Sequence, residues 1–207
     1  GTKGKPKFPL PSVWHFLLDY YFYYKDKDLL QASLTTLNKM AAGGIYDHVG
    51  GGFSRYSVDG NWRVPHFEKM LYDNGQLLSL YAKTYKLTRN LKYKNIVQGI
   101  ADFLLRELRD ESGAFYASLD ADSEGAEGKF YLWQSHEIDE ILGDDAGLFK
   151  DYYSVNTEGI WEGANILQIS SNATRIILES GLSREAFAHK MRQNLNKLYE
   201  ARSKRVR

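Results

Sequence analysis

The residues able to do chemistry gather in GGIYDHVGGGFSRYSVDGNWRVPHFEKMLYDN, residues 43–74. Two of the chain's five histidines, His48 and His66, lie there with Asp47, Arg55, Trp62, Glu68, Tyr72, Asp73 and Asn74. An imidazole with a carboxylate neighbour suits general acid–base work near neutral pH. His66 and His48 are therefore candidate proton carriers, and Glu68 and Asp73 candidate carboxylates. Arg55, Trp62, Tyr72 and Asn74 are candidates for holding a substrate. Epimerisation needs a base and an acid on opposite faces of one carbon, which two histidines supply. Glycoside hydrolysis needs two carboxylates about 5–9 Å apart.

A second acidic run, LDADSEGAEG at 119–128, adds Asp120 and Asp122 as catalytic carboxylates. Asp120, Asp122, Glu124 and Gly125 match the opening of a calcium loop, but Tyr131 stands where the closing Glu belongs. An EF-hand is rejected, and no metal or other cofactor is assigned. Trp133, with Trp62 and Trp161, offers aromatic faces for sugar rings. The triple glycine Gly50–Gly52 lacks the Lys-Ser/Thr that a phosphate-binding loop requires. It reads instead as a turn that shapes a pocket.

These residues must be positioned by helices, because apolar residues recur at three and four along most of the chain. The spacing predicts helices from Ser12, over 28–42, over 67–87, over 91–108, from Ser135 to 142, over 146–153 and from Ser183 onward. In the third of these, His66 and Glu68 stand at the helix start, Lys69 pairs with Asp73, and Glu68 and Asp73 do not share a face. Short and long connections alternate. The long ones cover 43–66, 109–134 and the stretch containing NTEGIWEGANILQIS at 156–170. In an antiparallel array every second connection lies on one face, so all three elaborate loops belong together. Two of them read as β-hairpins, one turning at Asp59–Gly60 and one at the acidic tip. The pattern is all-α: one domain over 1–207 with an extended lead-in over 1–11, and about three helical hairpins repeating at roughly 55–70 residues.

Composition narrows the remaining classes. The net charge of +1 gives no general attraction to nucleic acid or membrane. The basic end, with Lys197, Arg202, Lys204, Arg205 and Arg207, reads as a solvated helix end. The chain has no cysteine, which removes thiol chemistry and favours a reducing, cytoplasmic setting. No run of about 18 apolar residues exists.

The 43–74 stretch, DADSEGAEGKFYLW at 120–133 and EGANIL at 162–167 resemble the spermatogenesis-associated protein 20 family. The resemblance implies an (α/α)6 toroid similar to six-hairpin glycosidases and N-acylglucosamine 2-epimerases, of which this chain is a part. It also implies a thioredoxin-like domain in the longer proteins, as a partner outside this chain. The expected ligand is a sugar or sugar phosphate. The alternative is a non-catalytic helical module that presents a polypeptide to that redox domain.

Overall fold

The computed structural model describes residues 6–207. Helices α1 (Pro11–Tyr24) and α2 (Lys27–Ala42) form the first pair, and α3 (Leu71–Thr88) and α4 (Leu91–Phe103) the second. Helix α4 runs on through a π-helical turn, Leu104–Leu108. Helices α5 (Ser135–Leu142) and α6 (Ala146–Tyr152) follow, joined by a 3-10 turn. A short α7 (Ala173–Glu179), which periodicity does not reveal, precedes the long α8 (Arg184–Arg202). The first five residues of the lead-in fall outside the described residues; from Lys7 it bridges Ser57, and Pro11 already belongs to α1.

Local chemistry accounts for several helix starts. Asp26 caps α2 by accepting from the amides of Asp28 and Leu29, and Ser183 caps α8 through Ala186. Helix α1 starts without a side-chain cap, with Pro11 in its first position. The two helix pairs share one core, with Leu37, Met40, Leu77, Leu80, Tyr81, Ile100 and Phe103 essentially out of water. A second core joins α5, α6 and α8 around Ile138, Phe149, Phe187 and Leu198.

The three long loops do meet on one face. Phe67 of the first, Ala121 of the second and Ile166 of the third pack in one small apolar cluster. Backbone pairing ties them further. Strand β3 (Lys69–Met70) pairs with β4 (Ser118–Leu119), and Trp133 bridges Asn165.

The strands correct the expected hairpins. β1 (Tyr56–Ser57) pairs with β2 (Pro65–His66), so the connection is longer than a two-residue turn. Asp59 organises it from within, accepting from the amides of Asn61, Arg63 and Val64. In the second loop only β5 (Asp122–Ser123) and β6 (Ala126–Glu127) pair around the acidic tip.

Helix α3 begins four residues later than periodicity predicts. Residues 65–70 are extended, and burial alternates along them: Pro65, Phe67 and Lys69 are buried, while His66, Glu68 and Met70 are partly exposed. Proline restrains Val64 toward extended backbone at the entry, and β2 and β3 pair on either side of Phe67 and Glu68.

Candidate functional site

His66 stands out on the loop face. Its Nδ1 lies 2.7 Å from Glu127 Oε1, and its ring stacks on Tyr56 with centroids 4.8 Å apart. The two side chains are 29% and 36% exposed, so the pair is open to a ligand yet held. A carboxylate on Nδ1 selects the tautomer in which Nδ1–H donates and Nε2 keeps its lone pair. Sequence reasoning misses Glu127 as a site residue, although it lies inside the motif at 120–133. Nothing local marks it, since its role comes from a contact across 61 residues.

Period-two exposure places Glu68 on the same side of the extended segment as His66. Glu68 accepts from Arg55 at 3.1 Å. Asp73, in the first turn of α3, carries a carboxyl oxygen that is buried and without a partner. Burial pushes its pKa up to about 6, opposed by the nearby Arg55 and reinforced by Glu68. Glu68 and Asp73 thus act on each other, against the helical reading that kept them apart. Tyr72 is exposed beside this group.

Lys69 does not pair with Asp73. It turns inward, 2.8 Å from Asp47 Oδ2 and 2.8 Å from the carbonyl of Gly51. Arg202 binds the same carboxylate with two nitrogens, each at 2.9 Å. These two cations hold the Asp47 carboxyl well below its ordinary range, while burial lowers the Lys69 ammonium to about 8. The basic end is therefore only in part a solvated helix end: Lys197 and Lys204 are exposed, while its three arginines are engaged. Arg205 bonds Glu137 and the carbonyls of Phe130 and Leu132, and Arg207 pairs with Glu107.

His48 lies beside this triad, against the rings of Tyr46 and Tyr153, with Nε2 3.1 Å from the carbonyl of Gly43. Burial lowers its pKa to about 4, so it is neutral near neutral pH. The cavity it lines with Lys69 and Trp133 holds about 30 Å³, room for one water. His48 and His66 are not brought together as a base and acid pair around one substrate-sized space.

The remaining candidates divide by burial. Trp62 and Trp133 are 2% and 1% exposed, so neither presents a free face to a sugar ring. Asn74 is buried and bonds both the amide and the carbonyl of Phe53. Asp120 and Asp122 are exposed at the tip, where Asp120 accepts from the amide of Asp122. Glu124 pairs with Lys129, and among the described residues no three His, Asp or Glu side chains converge on a metal-sized point. The triple glycine lies against α4: a Cβ on Gly51 would meet the Gly99 carbonyl at 2.1 Å, and one on Gly52 the Phe103 ring at 2.5 Å.

A cavity of about 430 Å³ opens on the loop face. Glu124, Glu127, Lys129 and Phe130 from the second loop and Glu162 from the third line it, with Arg205 beyond α8. Its size falls within the range of small-molecule pockets.

No family model matches the chain. The human protein named spermatogenesis-associated protein 20 is 34% identical over 235 residues, covering 99% of this chain and 30% of the relative. The rat protein of the same name is 33% identical with the same coverage. The chain thus spans less than a third of the length of these curated relatives. Among solved structures, cellobiose 2-epimerase from Spirochaeta thermophila superposes with a TM-score of 0.50 at 14% identity, over 98% of this chain and 60% of that one. The cellobiose 2-epimerase from Bacillus thermoamylovorans gives 0.51 at 14% identity, over 98% and 62%. The fold is a partial (α/α)6 toroid, as sequence patterning and resemblance together implied. Among the described residues no helix is long and apolar enough to cross a membrane.

Proposed function

The chain belongs to the spermatogenesis-associated protein 20 family, and from that premise we propose that it forms part of a carbohydrate-active toroid that moves a proton on a sugar, in the manner of an epimerase or isomerase. The observation that carries this reading is the His66–Glu127 contact of 2.7 Å on the loop face. The likeness of fold to cellobiose 2-epimerases supports it.

In this reading the proton on the carbon next to an open-chain sugar's carbonyl passes to Nε2 of His66. The imidazolium so formed is stabilised by the Glu127 carboxylate at Nδ1. Return of a proton from a second acid, for which Asp73 is the candidate, to the other face of the enolate inverts the centre, and His66 then releases its proton to water as Asp73 regains one. Asp73, with its pKa raised to about 6, keeps a protonated share of about a tenth at pH 7 and more below it, which makes it the candidate acid. Arg55, held by Glu68, and the exposed Tyr72 are placed to bind hydroxyls. The binding-module alternative calls for a long apolar groove on this face. The cavity next to the His66 pair, which shares Glu127 with it and is lined by charged as well as apolar groups, is not such a groove and supports the enzyme reading.

The test is deuterium exchange at the carbon next to the carbonyl, followed by NMR with the full-length protein in D2O and a panel of reducing sugars. Exchange is expected to fall about 100-fold or more in His66→Ala and less in Glu127→Gln. Exchange that persists in His66→Ala, or that no sugar in the panel shows, refutes the reading.

A further inference from the structure

The cavity of about 430 Å³ carries four carboxylates, Glu124, Glu127, Glu137 and Glu162, against two cations, Lys129 and Arg205. The cations are already engaged. Arg205 gives three of its five N–H donors to Glu137 at 2.6 Å and to two backbone carbonyls at 2.7 and 2.8 Å. Lys129 pairs with Glu124 at 2.7 Å. Glu127 holds His66, and Glu162 is exposed with no ion-pair partner among the described residues.

From this arrangement we infer that the cavity takes an uncharged saccharide and rejects sugar phosphates, an inference that rests on the carbohydrate reading above and narrows its ligand class. Carboxylate oxygens accept hydrogen bonds from sugar hydroxyls, and a carboxylate with no cation to satisfy it is free to do so. A phosphate carries about −1.5 to −2 charge and would have to compete with Glu124 for Lys129 and with Glu137 for Arg205, in a lining with two more carboxylates than cations. It would also meet Glu127 and Glu162. Even in a water-like medium, each such neighbour in near contact disfavours it by roughly fivefold. The apolar floor contributed by Phe130, Leu132 and Ala164 suits the C–H face of a neutral ring. Most of this lining comes from the motifs at 120–133 and 162–167.

Calorimetric titration of the full-length protein with cellobiose and with glucose 6-phosphate, in wild type, Glu162→Gln and Glu162→Lys, tests the assignment. Cellobiose is expected to bind at least tenfold tighter than glucose 6-phosphate in wild type. Glu162→Lys is expected to bring glucose 6-phosphate binding up at least tenfold, with Glu162→Gln between the two. Equal or tighter binding of the phosphate in wild type overturns the inference and leaves the carbohydrate reading standing. Failure of both sugars to bind, together with no deuterium exchange, overturns both.

Discussion

The ammonium of Lys69 sits 2.8 Å from the carboxylate of Asp47, with the two side chains only 2% and 9% exposed. Arg202, 3% exposed, binds the same carboxylate from the far end of the chain. One anion thus compensates two cations in the core. Removing it leaves both cations buried and unpaired, whereas removing Lys69 leaves a satisfied Asp47–Arg202 pair. Asp47→Asn should cost about 3–5 kcal/mol and lower the melting temperature by roughly 6–20 °C. Lys69→Met should cost less than half of that in chemical denaturation. Equal costs for the two would refute the shared-anion arrangement.

The His48 ring predicts how stability responds to acid. Its folded pKa is lowered to about 4, against an ordinary value of 6.5. The unfolded chain therefore binds the proton first. The stabilisation is complete above pH 6.5 and is lost as pH falls toward 4, amounting to about 2 kcal/mol after allowance for the ring's partial exposure. Asp73 opposes this, because its raised pKa makes the folded state the stronger proton binder between about 3.8 and 6. Urea denaturation at pH 7 and pH 4.5 should show a smaller loss in His48→Gln than in wild type, and a larger one in Asp73→Asn. An unchanged loss in His48→Gln would mean the ring titrates freely.

Gly51 has φ +77°, and a Cβ there would stand 2.1 Å from the Gly99 carbonyl. Both strain and backbone contact oppose any side chain. Gly51→Ala should cost about 2–3 kcal/mol or more, judged by denaturation midpoint. Gly60→Ala, with nothing within 4 Å of where its Cβ would stand, is the control and should stay within about 0.5 kcal/mol. Similar effects of the two would mean the triple glycine is not needed for packing against α4.

Loop lengths alone placed the three elaborate segments together, because antiparallel pairing fixes which end of the array each loop occupies. Helical periodicity, by contrast, failed at 67–70. Phe67, Met70 and Leu71 fit a helical stripe, and Lys69 at an inward position hides the strand's alternation. Lys69 is buried only because Asp47 and Gly51 receive it, and no window of sequence contains Arg202 beside them. His66 was legible from its type and setting. Glu127 was not, since a carboxylate in an acidic tip looks the same whether or not it faces an imidazole 61 residues away. Trp62 and Trp133 were legible as aromatics, but burial decides whether a ring packs or stacks on a ligand.

Asp73 offers a direct test of the electrostatics around His66's side of the loop face. Its pKa near 6 is set first by burial, with Arg55 lowering it and Glu68 raising it. Arg55 is at the same time bonded to Glu68. Removing the Glu68 charge should therefore act twice. The repulsion on Asp73 disappears, and the Arg55 guanidinium is released to approach it. Removing Arg55 leaves two carboxyls with no cation between them, which favours the proton on the more buried one. In a carbon-detected NMR titration of the Asp73 carboxyl, the midpoint should drop in Glu68→Gln and climb in Arg55→Met. Shifts in the same direction for both variants, or a wild-type midpoint near the ordinary carboxylate value, would remove Asp73 as a proton donor in the range around pH 6.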